Sequence, residues 1–240
     1  MTWFEDWFNS PYYHILYKNR DYKEAQNFID NLINYLQIPK QSKLLDIGCG
    51  KGRHAIYFSN KGMDVVGFDL SQNNINTAKK YENKTLKFFV HDMRKTFKEN
   101  TFDIATNLFT SFGYFENNKE EQKSINKMVL NLKKEGILII DFMNSKKAVK
   151  ELIESEKKEV EGLIFNIQRR VENKYIIKTI SFSHSNKKHQ FQEKVKILTL
   201  AEFSKFITNA GMKIIDIFGD YKLNDFNAIN SERLIIICKK

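Results

Sequence analysis

A glycine-rich turn between an apolar run and a helical pattern constrains the fold of this chain more than any other feature. Residues 44–47 read Leu-Leu-Asp-Ile, and such a run is typical of a strand that is covered on both faces. Gly48, Gly50 and Gly52 follow, and a helical pattern begins near Lys51. Because glycine has no Cβ, this backbone can turn tightly and approach a ligand closely. The stretch therefore predicts a strand, a ligand-binding turn and a helix, in that order.

The order of residues in this turn distinguishes between the ligands that could bind there. A phosphate-binding P-loop has two glycines with four residues between them and then Lys-Ser/Thr, and this order is absent. A dinucleotide-binding fingerprint requires a third glycine at the position of Arg53. The pattern from Asp46 to Gly52, acidic-x-Gly-x-Gly-x-Gly, resembles motif I of the class I S-adenosylmethionine-dependent methyltransferases. An ordinary tight connection between a strand and a helix is the alternative interpretation.

Two further acidic residues follow predicted strands. Asp69 ends the second apolar strand roughly 20 residues after Asp46, the offset at which doubly wound folds place a carboxylate that binds ribose hydroxyls. Asp92 follows the third predicted strand. The family resemblance implies that Asp92 accepts a hydrogen bond from the adenine amino group and that the backbone amide of Met93 contacts the ring. A helix N-cap is the alternative role for Asp92.

The amino terminus adds a candidate lid. Aromatic residues crowd positions 3–17, which resembles the lid of small-molecule methyltransferases, where tyrosines close over the methionine part of the cofactor. Plain hydrophobic packing is the alternative for each tyrosine. The resemblance implies S-adenosylmethionine as cofactor and S-adenosylhomocysteine as product. The residues that it assigns to cofactor binding are Asp46, Gly48, Cys49, Gly50, Asp69, Leu70, Asp92, Met93, Leu108, Tyr13 and Tyr17.

The length and the hydrophobic periodicity predict a single α/β domain over residues 1–240, and the resemblance implies that it is a class I methyltransferase domain. The resemblance implies a Rossmann-like mixed sheet of seven strands in the order 3-2-1-4-5-7-6, with the last strand antiparallel. Residues 1–40 supply the lid and a helix that opens with a capping box at Asp21–Glu24. Residues 157–198 alternate as three antiparallel strands, an insertion after strand five that is expected to lie over the substrate pocket. A second capping box, Thr199–Glu202, predicts a further helix.

The loop after the fourth predicted strand, residues 108–115, is expected to face the transferable methyl group, since open α/β sheets bind ligands outside the carboxyl ends of their strands. It lacks the Asn-Pro-Pro-aromatic sequence of amide and adenine N-methyltransferases and the Pro-Cys nucleophile of cytosine-5 methyltransferases. DNA methylation is therefore disfavoured. This loop, the Gly-x-Gly-Arg-His turn and the closing Ser231–Ile235 together resemble a bacterial branch with small-molecule members.

Charge and cysteine content limit the partners and the cellular compartment that the sequence allows. The formal net charge is +10, but the basic residues are mainly lysines dispersed along the chain, so a solvated surface is favoured over a nucleic-acid footprint. Only two cysteines occur, and no apolar run reaches membrane-spanning length. The amino terminus is acidic and aromatic, unlike a signal peptide. We expect a cytoplasmic protein that has no metal site and no membrane partner.

The sequence thus predicts a methyltransferase that acts on nitrogen or oxygen of a small molecule. An RNA methyltransferase, favoured by the positive charge, and a cofactor-binding module without its own chemistry are the alternatives. Methyl transfer is an in-line displacement that mainly requires alignment and a dehydrated pocket, and a base is needed only when the nucleophile must lose a proton. No residue is assigned a catalytic role, and the oligomeric state is not predicted. Candidate bases are His14, His91, His184, Tyr114 and Asp220.

Overall fold

A computed structural model describes residues 3–18 and 22–240 of the protein, without the side chains of residues 3–5. The strands are β1 (Lys43–Ile47), β2 (Asp64–Asp69), β3 (Leu86–Val90), β4 (Phe102–Asn107), β5 (Leu132–Met143), β6 (Ser155–Val160), β7 (Leu163–Glu172), β8 (Tyr175–His184), β9 (Lys187–Lys196), β10 (Lys213–Phe218) and β11 (Arg233–Lys239). The α-helices are α1 (Trp3–Phe8), α2 (Pro11–Leu16), α3 (Tyr22–Leu36), α4 (Arg53–Asn60), α5 (Gln72–Ala78), α6 (Asn118–Asn131), α7 (Ser145–Lys150) and α8 (Leu200–Asn209).

Seven of these strands form one mixed sheet in the order β10-β11-β5-β4-β1-β2-β3. Strand β11 is antiparallel to both of its neighbours, and the other pairs in the sheet are parallel. With β10 and β11 as the predicted strands six and seven, this is the predicted order 3-2-1-4-5-7-6. The prediction of a Rossmann-like α/β fold is confirmed.

Both faces of the sheet are covered, as the apolar run of β1 predicts. Successive strand residues point to opposite faces, and Leu44 and Leu45 are both fully buried. Leu44 belongs to a cluster with Phe28 of α3 and Phe58 of α4. Leu45 belongs to the cluster on the other side, which includes Phe203 of α8. The helices on the two faces therefore hold the central strands, and with them the ends of β1 and β2, in fixed positions.

Local signals set the start of two helices. Helix α4 begins directly after Gly52, slightly later than predicted, because this N-cap glycine has a left-handed φ of 84°. Helix α8 begins at the predicted capping box, in which the Thr199 side chain accepts a hydrogen bond from the Glu202 backbone and the Glu202 side chain accepts one from the Thr199 backbone. Asp21, which begins the other predicted capping box, lies outside the described residues.

Strands β6 to β9 form a separate antiparallel sheet between β5 and α8. The predicted three strands are present, but a fourth strand, β6, precedes them and starts before residue 157. Its sequence, Ser-Glu-Lys-Lys-Glu-Val, has too little apolar alternation to be recognised, and only Val160 is buried. Charged residues of this kind are typical of an edge strand, where they discourage pairing with other chains.

Helices α1 and α2 pack on one face of this second sheet. Trp7 and Leu16 are buried in a cluster with Phe165, Ile180 and Phe182. The amino-terminal aromatic residues thus pack against the insertion. None of the described helices has the length and apolar character that crossing a bilayer requires.

Candidate active site

A cavity of about 620 Å³ lies at the carboxyl ends of β1, β2 and β4. Its walls come from the turn after β1, the loops after β2, β3 and β4, helix α2 and strand β9. Every residue predicted to bind the cofactor lines this cavity except Asp46, which is buried within β1. The sheet, the amino-terminal helices and the insertion therefore meet around one space.

The glycines of the turn after β1 have different structural roles. A Cβ on Gly48 would lie 2.9 Å from Ser111 Cβ, and one on Gly52 would lie 2.6 Å from Phe88 Cζ, so both are required for close packing. Gly50 also has a positive φ, but a Cβ there would meet no atom within 4 Å. The middle glycine therefore leaves open space on the cavity side of the turn.

Asp69 connects this turn to the loop after β2. Its Oδ2 accepts a hydrogen bond from the Gly50 amide at 2.9 Å, and its Oδ1 accepts one from the Ser71 amide at 2.8 Å. Burial raises the pKa of Asp69, while these hydrogen bonds oppose the rise. Each carboxylate oxygen has a further lone pair, so the side chain is held in place and can still accept hydrogen bonds from two adjacent hydroxyls.

Asp46 is an almost completely buried carboxylate two positions before Gly48. Its Oδ1 accepts a hydrogen bond from Thr106 Oγ1 at 3.0 Å, whereas Oδ2 has no hydrogen-bond partner among the described residues. Burial raises the pKa of Asp46 to about 7. A buried carboxylate oxygen without a partner is costly, and a bound donor group would reduce that cost.

Asp92 is held by Arg94, a residue that the sequence analysis did not single out. The Arg94 guanidinium donates to both oxygens of Asp92, with Nη2 at 2.7 Å from Oδ2. Burial opposes ionisation of Asp92, but the hydrogen bonds from Arg94 outweigh it and lower its pKa. No helix begins between Asp92 and β4, a fully described stretch, so the N-cap alternative is excluded. Asp92 is thus a fixed, ionised acceptor at the cavity wall.

A second, partly buried arginine, Arg233, fixes the loop after β4. Arg233 Nε donates to Asp141 Oδ1 at 2.7 Å, and its Nη2 donates to Thr110 Oγ1 at 3.0 Å. The Phe109 amide donates to Asp141 Oδ2 at 2.8 Å. Phe109 and Thr110 both have positive φ values, 58° and 60°, an unfavourable conformation for residues with side chains. These contacts hold the loop in that conformation against the cavity.

The amino-terminal helices and the insertion meet at a carboxylate, Glu193 of β9. Its Oε1 accepts hydrogen bonds from Trp7 Nε1 and from the Tyr17 hydroxyl, each at 2.6 Å. Lys178 Nζ lies 3.4 Å from Oε2 and also donates to the Tyr17 hydroxyl. Burial lowers the pKa of Lys178, while Glu193 opposes that change. The Tyr17 hydroxyl is thus bound to the insertion.

A family model described as a methyltransferase domain matches residues 38–203, more than half of the chain. The chain belongs to this methyltransferase family.

Relatives and solved structures agree with this assignment. A protein of Geobacillus sp. (strain WCH70) that is provisionally named a methyltransferase is 22% identical over 95% of this methyltransferase and 97% of its own length. The dTDP-3-amino-3,4,6-trideoxy-alpha-D-glucopyranose N,N-dimethyltransferase of Streptomyces venezuelae is 26% identical over 52% of each chain. The crystal structure of a S-adenosylmethionine-dependent methyltransferase from Clostridium acetobutylicum ATCC 824 has a TM-score of 0.79 at 19% identity and covers 95% of both chains.

The predictions of a class I methyltransferase, of an enzyme and of S-adenosylmethionine as its cofactor are confirmed. The site fits this cofactor on two structural observations. The open side of Gly50 allows a ligand to approach the backbone. The Asp69 carboxylate lines the cavity and keeps acceptor capacity for two adjacent hydroxyls, and S-adenosylmethionine carries two ribose hydroxyls.

The candidate bases of the methyltransferase separate into two groups. His14, His91 and Tyr114 line the cavity, whereas His184 and Asp220 do not. His184 bonds to the Tyr12 hydroxyl, and Asp220 accepts hydrogen bonds within its own loop. The Tyr114 hydroxyl donates to the Thr110 carbonyl. No base is assigned from this geometry. No group of three or more potential metal ligands occurs in the described part of the chain.

Proposed function

We propose that this methyltransferase transfers a methyl group from S-adenosylmethionine to nitrogen or oxygen of a small molecule. The observation that carries the proposal is that α2 and β9 cover the cavity at the carboxyl ends of the strands. Helix α2 and strand β9 form part of the cavity wall, so the space available is about 620 Å³. A cavity of this size suits a cofactor with a small acceptor. The Streptomyces venezuelae relative, which is named for an amino sugar carried by dTDP, supports an acceptor of this class.

In this proposal, the cofactor lies across the ends of β1, β2 and β3. The Asp69 carboxylate accepts hydrogen bonds from the ribose hydroxyls, and Asp92 with the Met93 amide contacts the adenine. Asp46 is buried within β1 behind the Gly48 turn, so it contributes to the cofactor site through the position of that turn. The remaining proposed contacts come from Gly48, Cys49, Gly50, Leu70, Leu108, Tyr13 and Tyr17, all of which line the cavity.

The bound cofactor supplies an activated methyl carbon, so the chain itself has to align the acceptor and exclude water. We propose that α1 and α2 act as a lid and that the insertion forms the wall of the acceptor pocket. Support comes from the contacts between them, since Trp7 and Tyr17 both donate to Glu193. The whole chain then acts as one methyltransferase domain.

The proposal places the enzyme in the cytoplasm, with a small molecule rather than a nucleic acid as its partner. Cys49 and Cys238 are free and buried, which suits a reducing compartment. In this proposal the positive charge belongs to solvated surface lysines, because the lysines are dispersed along the sequence.

A methyl-transfer assay with two acceptor pools tests the proposal. The purified protein is incubated with methyl-labelled S-adenosylmethionine and either a filtered small-metabolite extract or total RNA. We expect the label to pass to the small-metabolite fraction. Transfer only to RNA would support an RNA methyltransferase instead. Binding of S-adenosylhomocysteine without any transfer would support a module that lacks its own chemistry.

A further inference from the structure

Glu193 is a carboxylate placed in an otherwise apolar interface. Phe191 and Val195 lie on the same face of β9, and Phe191 packs in the cluster between the insertion and the amino-terminal helices. The Glu193 side chain is only 16% exposed. Burying a charge costs free energy unless it is paired and hydrogen-bonded. Three donors reduce this cost, and they come from three separate elements of the fold.

The three donors leave part of the carboxylate available. Trp7 and Tyr17 both donate to Oε1, while among the described residues Oε2 has only the longer contact of 3.4 Å with Lys178. An ionised carboxylate offers about four lone-pair positions. Glu193 lines the cavity, whereas Lys178 does not. Glu193 is therefore part of the wall of the ligand space, whereas its positive partner Lys178 is not.

An aromatic wall connects Glu193 with the loop after β4. Tyr17, whose hydroxyl bonds to Glu193, has its ring centroid 5.0 Å from that of Tyr13. The Tyr13 ring lies 5.1 Å from Phe8, and the Phe8 ring lies 5.5 Å from Tyr114 in the loop. All four of these rings line the cavity. Aromatic faces and a carboxylate are the two groups that bind an organic cation in a desolvated site.

We propose that Glu193 is the acceptor-binding carboxylate and that the acceptor is a small amine whose N–H group donates to Glu193 and lies against the Tyr17–Tyr13–Phe8–Tyr114 wall. This inference rests on the proposed function, because it names the substrate class of the same cavity. Lys178 sets the strength of the interaction, since its charge opposes that of the ammonium form of the amine. The neutral form still donates an N–H group to Glu193, and it keeps the lone pair that accepts the methyl group. The insertion thus selects the acceptor, while the sheet binds the cofactor.

Three probes that share one ring test this inference: cyclohexylamine, cyclohexanol and cyclohexanecarboxylate. Each is titrated by calorimetry at pH 8.5 into the full chain, with and without saturating S-adenosylhomocysteine. We expect the wild type to bind the amine about tenfold or more tightly than the alcohol, and the carboxylate most weakly, because one charge-assisted hydrogen bond distinguishes them. Glu193→Gln should abolish the preference for the amine.

Two further variants separate a binding role from a structural one. Lys178→Met removes the opposing charge, so it should raise the affinity for cyclohexylamine several-fold, the opposite direction to Glu193→Gln. Glu172→Gln changes an exposed carboxylate of β7 that pairs with Arg170, and it should leave all three affinities unchanged. Opposite shifts in two variants of one ion pair cannot arise from partial unfolding.

The affinity for S-adenosylhomocysteine shows which part of the account fails. Equal binding of this product to the wild type and Glu193→Gln, with no preference for the amine in either, overturns the inference alone. A wild type that binds the carboxylate probe best overturns it as well. A wild type that does not bind S-adenosylhomocysteine overturns both the inference and the proposed function.

Discussion

Burial of Asp46 makes the stability of the folded chain depend on pH. Burial raises its pKa to about 7 in the folded chain, well above the ordinary value of an aspartate. Between about pH 4 and pH 7 the folded state therefore binds more protons than the unfolded state. The contribution of this group to stability is complete below its unfolded pKa and is lost as the pH rises through its folded pKa.

Asp46→Asn should remove this part of the pH dependence. The free energy of unfolding of the wild type is expected to fall by up to about 1.4 kcal/mol per pH unit from this group as the pH rises towards 7. The variant cannot ionise at this position, so its stability should fall less between pH 5 and pH 8. Urea unfolding at these two pH values, with S-adenosylmethionine absent, measures the difference.

The matched control is Glu159→Gln, which changes an exposed carboxylate of β6. It should keep the pH dependence of the wild type. If Asp46→Asn also follows the wild type in parallel, Asp46 is already ionised at pH 5 and the assignment of a raised pKa is wrong.

Sequence reasoning found the residues of the cavity that lie close to a local motif. Asp69 ends β2 and Asp92 lies two residues after β3, and alignment of the parallel strands brings both to one end of the sheet. Arg94 lies two positions after Asp92, so its pairing with that carboxylate has a local signal in the sequence. Glu193 had none, because its partners Trp7 and Tyr17 are remote in the sequence and meet it only through packing of the amino-terminal helices.

At the scale of elements, α8 provides a direct test of a signal that was visible in the sequence. Thr199→Ala removes the side-chain acceptor of its capping box. We expect a loss of about 1 kcal/mol, which corresponds to a fall in Tm of roughly 2–4 °C for a domain of this size. Thermal unfolding followed by circular dichroism measures it.

Thr208→Ala is the control within the same helix. Thr208 is exposed in the last turn of α8. Its replacement by alanine removes the same side-chain atoms as Thr199→Ala but leaves the capping box intact. Its Tm should stay close to that of the wild type. Alanine has a higher helix propensity than threonine, so propensity alone would raise the Tm of Thr208→Ala slightly. Equal losses in the two variants would mean that other threonine side-chain contacts, and not the capping box, determine the effect.

Elements were predicted well where each strand or helix carries its own signal. The apolar runs of β1 and β2 identified two central strands, and the capping box identified the start of α8. Strand β6 was missed because its charged sequence has no apolar alternation. It is a strand because its backbone pairs with β7, and this pairing leaves no pattern in the sequence of β6. The contact between the insertion and the amino-terminal helices could not be predicted either, since it depends on how two remote segments pack.

At the scale of the whole molecule, three parts of the chain share one cavity. The seven-stranded sheet supplies the acidic residues Asp69 and Asp92, α1 and α2 supply aromatic rings, and β9 supplies Glu193. The three parts therefore form the walls of one space. In the proposed account, the sheet alone can hold a cofactor, while selection of the acceptor requires the other two.

Calorimetric titration with S-adenosylhomocysteine tests the central claim most directly, in the wild type, in Asp69→Asn and in Asp64→Asn. Asp64 is the first residue of β2, of which Asp69 is the last, and it is exposed at the opposite end of that strand. The account predicts saturable binding to the wild type, an unchanged affinity within about twofold for Asp64→Asn, and a loss of about 100-fold or more for Asp69→Asn, because two hydrogen bonds to a charged group are lost. Failure of the wild type to bind, or equal affinities for all three proteins, would contradict it.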